Sequence, residues 1–230
     1  EPGIYFNITA NQQEKFKKAS LMQAYQDLCD GKDNERVYHL PQSKLKEIKS
    51  YPFIYWISDE FREKFINRTI GEEFDICNGI SSGGNNEQFY RYHWEICQND
   101  ILRKSNENSY KWTFINKGGP YKKWYGNIWL VFEWSDNGKK IKKLKAKYPS
   151  IRYGYENYYF KPGLAFTGAS SKSLSVRYQP AYCIFERAGK SIFSKDNSNN
   201  YFSLLGFMNS ILCSYLMDSL NPTVSFQSGD

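Results

Sequence analysis

A chain of 230 residues, 40% hydrophobic and 18% aromatic, is long enough for a substantial core of its own, and no run in it nears the ~18 apolar residues of a membrane span. Thirty-one Lys and Arg outweigh 24 Asp and Glu for a formal charge of +7, which points to an anionic partner. Five cysteines form no C-x-x-C pair and have only His39 and His93 beside them, which argues against both a complete disulfide framework and a zinc site; reduced thiols in a cytoplasmic protein are the expectation.

The first residue is Glu1 and no charged-then-apolar leader follows it, so the chain reads as a piece of something longer. Residues 11–30 place Phe16, Leu21, Tyr25 and Leu28 near helical spacing, with Gly31 as the stop. A short polar helix is expected over Lys44–Lys49 and a strand-like apolar run over Tyr51–Ile57. Ser58, followed by Asp59 and Glu60, caps and charges the start of a helix expected to run to Asn67. Residues 1–70 therefore read as a mostly helical scaffold.

Beyond residue 70 the composition turns to strands and tight turns. Gly79, Gly83 and Gly84 in ICNGISSGGNNEQ match neither G-x-G-x-x-G nor a Walker loop; they read as a turn between strands, or as bare backbone able to approach a phosphate. KWTFIN (111–116) and NIWLVFEW (127–134) are expected strands joined across KGGP, with Lys117, Lys122 and Lys123 around the turn and Trp124 and Tyr125 behind it, as core anchors in preference to base-stacking rings, which suit unpaired strands. Ser135–Gly138 is a turn into a lysine-rich helix, Lys139–Lys147, docked by Ile141 and Leu144. Asn157–Phe166 and Ser175–Phe185 read as two strands flanking a polar loop that carries Ser170, Ser171 and Lys172. Tyr201–Leu220 is the most apolar helix candidate and ends at Asn221-Pro222. The expected fold class is α+β: a helical N-terminal part, a β-rich recognition domain over 71–197, and a C-terminal helix and tail over 198–230.

Between Lys104 and Lys195 there are eighteen Lys and Arg against five Asp and Glu, a surplus of +13, while the rest of the chain carries thirteen cations and nineteen anions, a balance of −6. Charge segregated in this way is the footprint of a nucleic-acid partner, because each neutralised phosphate releases counterions. Lys117, Lys122, Lys123, Arg152, Lys161, Lys172 and Arg177 are the expected phosphate or base contacts, with Asn127, Ser170 and Ser171 as polar readers. Arg177 fits a guanine edge as well as it fits a phosphate, and the lysines of 139–147 fit phosphate contact or plain solvation. The cations are expected to gather on one concave side. The five acids (Glu107, Glu133, Asp136, Glu156, Glu186) are scattered and do not form a nuclease constellation; an aromatic protein-interaction module is the remaining alternative.

The segments KGGPYKKWYGN, YYFKPGLAFTGASS, SVRYQP, IFERAGKSIF and LLGFMNSILCSYLMDSLNPTVSFQSGD, in that order, resemble the target-recognition half of BREX-type phage-defence adenine methyltransferases. They are similar, more distantly, to the specificity halves of type IIG restriction-modification enzymes and to type I specificity subunits. ICNGISSGGNNEQFYRYHWE resembles the loop that opens this region, so the likeness covers Ile70 to Asp230.

That resemblance implies a parent enzyme that transfers methyl from S-adenosylmethionine to adenine N6 in double-stranded DNA. The family's Asn-Pro-Pro-Tyr and cofactor-binding glycine motif are not found in these residues, and Asn221-Pro222-Thr223 departs from the former at its third position. The stretch is thus implied to be non-catalytic and without a cofactor of its own. Its implied partners are duplex DNA, the catalytic domain of the same parent chain and other subunits of the defence system, with no membrane.

Overall fold

A computed structural model describes residues 2–9, 13–48, 52–103, 110–170, 172–196, 201–221 and 225–226, which form an α+β fold. By internal contacts they divide into two compact units, Glu1–Thr69 and Ile70–Asp230.

In the first unit β1 (Pro2–Phe6) pairs antiparallel with β2 (Val37–Pro41), in register from Pro2 opposite Pro41 to Phe6 opposite Val37. Between them in sequence lies α1 (Glu14–Cys29), and Gly31 just beyond it adopts φ +67, the left-handed turn that glycine tolerates best. This two-stranded ribbon has no counterpart in the helical scaffold expected from the sequence. The expected polar helix is a 3-10 turn at Gln42–Lys46, and Lys49 lies outside the described residues. Residues 52–57 form no strand. Pro52 lacks a donor, and the Ile54 carbonyl accepts the buried Arg62 guanidinium at 3.0 Å rather than a strand partner. The aromatics of this run pack sideways instead, with Tyr55 stacked on Tyr5 at 4.9 Å. Helix α2 (Asp59–Glu63) is capped as expected by Ser58 Oγ, but it is shorter than expected, because Phe65 and Ile66 bond back three residues rather than four.

The second unit carries the β-rich sequence. A turn of helix, α3 (Ile70–Glu73), leads into β3 (Phe74–Cys77); after a loop come α4 (Asn86–Phe89), β4 (Tyr90–Tyr92) and β5 (Ile101–Leu102). KWTFIN and NIWLVFEW supply β6 (Trp112–Asn116) and β7 (Leu130–Glu133). The lysine-rich segment is α5 (Ser135–Lys147), which opens with Asp136, Asn137 and Gly138 all at positive φ and is regular only beyond them. Then follow β8 (Gly163–Thr167), β9 (Val176–Gln179), β10 (Cys183–Phe185), β11 (Gly189–Ser194), α6 (Tyr201–Met208) and α7 (Ile211–Leu220).

Two sheets result. In one the order is β10-β6-β7-β4, and β5 shares with β10 the outer edge of β6, both parallel to it, at Trp112–Thr113 and Phe114–Asn116 respectively. The other is antiparallel throughout, in the order β3-β11-β8-β9. Phe89, Phe132, Ile141, Ile184, Phe185 and Phe193 form one core with the first sheet and α5, and Leu164, Phe166, Val176 and Ile192 form another under α6 and α7. Each ring sealed in this way contributes about 1.5–3 kcal/mol. That outweighs the exposed Lys139–Asp136 and Lys142–Glu156 pairs on α5, worth about 0–1 kcal/mol each, so Ile141 and Leu144 dock this helix and its salt bridges do not.

Three expected elements are interrupted. Asn157–Phe166 is extended only from Gly163, because Tyr155 and Phe160 turn at φ +60 and +59 and Pro162 precedes the strand. Ser175–Phe185 is two strands in different sheets, separated at Pro180, whose carbonyl closes a turn onto Cys183 N. Tyr201–Leu220 is two helices, because Ser210 caps the second through Cys213 N and the Asn209 side chain is committed elsewhere.

Candidate nucleic-acid interface

The cations of the second unit sort by what their neighbours leave them. Several are turned inward. Arg177 is 1% exposed and donates to the Lys122 carbonyl and to Thr167 Oγ1, both at 3.4 Å, with its Nε unmet. Burial draws its guanidinium down to about 10, which leaves it charged at neutral pH. Asn127 is likewise buried, at φ +60, and donates to the Pro120 carbonyl at 2.9 Å. Neither is on the surface expected of a base reader; both brace the 117–127 turn from beneath. Lys123 donates to the Asn209 carbonyl at 2.7 Å, and Lys190 to that of Phe226 at 2.6 Å. Lys117 lies 3.7 Å from the centre of the Tyr90 ring and donates to Asn86 Oδ1; burial lowers the pKa of its ammonium, and the same burial raises that of the neighbouring Glu186 carboxyl. The positive surplus is therefore only partly displayed.

Part of what is displayed falls into two groups, while the exposed Lys111, Lys139, Lys140, Lys142, Lys143 and Lys147 belong to neither. The first lines an open cleft of about 430 Å³, into which Lys145, Arg152 and Arg187 face together with Asn78, Tyr153 and Tyr155. Among the described residues no carboxylate lines it. The cleft is built by the dipeptide Ile80-Ser81, which bonds on one side to residues 185 and 187 and on the other reciprocally to Arg152, at 2.9 and 3.1 Å. One extended segment thereby sets the backbones of both arginines. Gly79 is required for this approach: a Cβ there would sit 1.9 Å from the Phe185 carbonyl oxygen. Gly79 hence serves strand contact, whereas a Cβ at Gly84, at φ +97, would meet nothing within 4 Å. Neither Arg152 nor Arg187 makes a side-chain hydrogen bond or ion pair among the described residues. Glu156 is paired with Lys142 at 3.0 Å, and Glu186 accepts from the Ala188 backbone N–H at 3.0 Å while also interacting electrostatically with Lys117 and Arg187.

The second group sits on the turn between β6 and β7 and on the loop after β8. Lys122 is exposed, its stem lying over Gly126, and Lys172 is exposed 5.4 Å from the Tyr121 ring centre. Trp124 and Tyr125, expected as core anchors, are instead 55% and 53% exposed. Ser170 is half-buried and accepts from Lys172 N at 3.2 Å, and Ser171 lies outside the described residues. Lys161 is exposed near Tyr158 and belongs to neither group. The turn at 186–189 links the two groups. Arg187 faces the cleft, while the Ala188 carbonyl accepts from Gly168 N and lies against Gly118.

Arg187 escaped the sequence reading, whereas Lys145 belongs to the lysines of 139–147 read there for phosphate contact or plain solvation, and its Nζ donates to the Tyr153 carbonyl at 2.7 Å. Lys145 is one turn beyond the buried Ile141 on the same helix, so its placement beside the body could be inferred from spacing. Arg187 stands in the tight Glu-Arg-Ala-Gly turn that carries the chain from β10 in one sheet to β11 in the other, where a cation in an exposed turn is a usable signal.

No protein-family model matches the chain. It is 29% identical to the adenine-specific methyltransferase PglX of Lacticaseibacillus casei over 99% of this chain and 19% of that protein, and 29% identical to the adenine-specific methyltransferase BrxX of Escherichia coli over 82% of this chain and 15% of that protein. The chain is thus related in sequence to adenine-specific methyltransferases, and it spans less than a fifth of their length.

Proposed function

We propose that this chain is the DNA target-recognition part of a BREX-type adenine-specific DNA methyltransferase. It holds duplex DNA and selects the site, while a catalytic domain elsewhere in a longer protein binds S-adenosylmethionine and transfers the methyl group. The observation that carries this reading is the cleft in which, among the described residues, Arg152 and Arg187 present guanidinium groups without a hydrogen bond or ion pair and no acid is in the lining. Guanidinium matches phosphate bidentately, and an open groove with no carboxylate among its described lining residues leaves that capacity unspent. The sequence relation to two adenine-specific methyltransferases supports the choice of parent.

Titration of a thirty-base-pair duplex with this chain between about 50 and 200 mM salt tests the reading. If Arg152, Arg187, Lys122 and Lys172 each neutralise one phosphate, log affinity falls against log salt with a slope of about −3.6. Salt-insensitive association, or none at low salt, overturns it. Within the same experiment Lys122→Ala is expected to weaken all duplexes alike, about fivefold, with the thermal midpoint unchanged. Lys123→Ala, which breaks an internal charged hydrogen bond worth about 1.5–3 kcal/mol, lowers that midpoint by several degrees.

A second reading draws on α6 and α7, where Phe202, Ile211 and Tyr215 are 70%, 89% and 57% exposed. Such a face suits a protein partner. Salt-independent binding to a protein, without retention on heparin, favours that reading over DNA.

A further inference from the structure

Trp124 stands out in the second unit. A bulky residue at φ +75 is in the sparsely populated left-handed region, and it stays there because its backbone is pinned on both sides to β9: Trp124 N donates to the Val176 carbonyl at 2.9 Å, and Tyr178 N donates to the Trp124 carbonyl at 2.8 Å. A residue anchored so firmly would ordinarily bury its side chain. Here the indole is 55% exposed, and the next ring, Tyr125, is 53% exposed with its hydroxyl 3.3 Å from that of Tyr182. Two large aromatic surfaces are therefore held outward on a rigid support.

Two cations adjoin them. Lys122 precedes the indole by two residues and is exposed, and the buried Arg177 lies on the strand position bridged to Trp124, with no acid within ion-pair distance among the described residues. A hydrophobic protein partner has no need of an uncompensated guanidinium under its docking site. A nucleotide does, since it brings a flat π-face and a phosphate together. A paired duplex keeps its base faces stacked on one another, so only a base out of the stack can use the indole.

We propose that Trp124 is a stacking site for an unstacked nucleobase, with Lys122 at the adjoining phosphate. This rests on the DNA reading above and adds to it that the tip engages DNA whose base stack is locally opened.

The test compares an intact duplex with the same duplex carrying one bulged 2-aminopurine. Trp124→Asn removes the ring but keeps a residue that tolerates the left-handed backbone, and Trp124→Phe keeps an aromatic face. Wild type is expected to quench the bulged 2-aminopurine on binding. Trp124→Asn is expected to bind the bulged duplex about 5- to 150-fold more weakly, the loss of one base–aromatic stack, and the intact duplex within about twofold of wild type; Trp124→Phe is expected to recover most of the loss. Equal weakening on both duplexes, or no weakening on the bulged one, overturns the stacking site while leaving DNA binding in place. So does wild-type binding without quenching, which needs no variant to fold. If wild type binds neither duplex, the recognition reading falls and the stacking site with it.

Discussion

Replacing Arg152 and Arg187 together by alanine is expected to lower duplex affinity by about a hundredfold or more. Each guanidinium faces the same cleft and has no internal partner among the described residues, so its whole donor capacity is open to a phosphate. A hydrogen bond to a charged group is worth about 1.5–3 kcal/mol, and the two together account for two decades even at the low end. The salt slope should also flatten by about 1.8, that is, two phosphate contacts at 0.9 each. The fold should not suffer, because Arg152 and Arg187 are held through their backbones, by Ser81 and Ile80. Replacement of both by lysine keeps the charge but not the fork, so it should restore the slope before it restores the affinity. Fluorescence anisotropy across a salt series, with thermal melts of the same preparations, reads all of these. An unchanged slope in the double-alanine variant removes the cleft from the interface.

The second large effect concerns stability. Asn209→Ala is expected to reduce the unfolding free energy by about 2–3 kcal/mol. The Asn209 side chain, 5% exposed, behaves as a strand partner for one residue of β9: Oδ1 accepts from Val176 N at 3.0 Å and Nδ2 donates to the Val176 carbonyl at 2.8 Å. Alanine leaves the Val176 N–H without its Asn209 acceptor in a position with no solvent access, at a desolvation cost of about 1–3 kcal/mol, whereas the carbonyl keeps the Trp124 N–H at 2.9 Å. Loss of a buried side chain's packing adds to this. For domains stable by about 5–15 kcal/mol the change is easily measured as a lower urea midpoint at constant slope. A loss below about 0.5 kcal/mol would mean that the amide is not what satisfies β9 there. Because the Asn209 carbonyl also receives Lys123, this one residue links the break between α6 and α7 to the loop that carries Trp124.

Local chemistry settled much of the architecture in advance. Apolar runs with flanking glycines marked β6 and β7, and Ile141 with Leu144 marked the buried stripe of α5, since side-chain period and turn residues act within a few positions of themselves. The +13 surplus between residues 104 and 195 was likewise a property of composition. Burial was not. Arg177 and Asn127 look like readers in a polar context, yet they lie under the turn because Trp124, in the connection between β6 and β7, bridges Arg177 and Pro120 offers its carbonyl to Asn127. Trp124 and Tyr125 look like core and face outward, because a left-handed backbone pinned to β9 points them there.

The amino-acid sequence by itself determined the class of fold, most strand and helix positions and the region where cations are in excess, because propensity, periodicity and charge are local quantities. Only the tertiary structure decided which cations reach solvent. That depends on long-range hydrogen bonds, such as those of Ile80 and Ser81 to residues 187 and 152, which put two arginines remote in the chain on one carboxylate-free cleft.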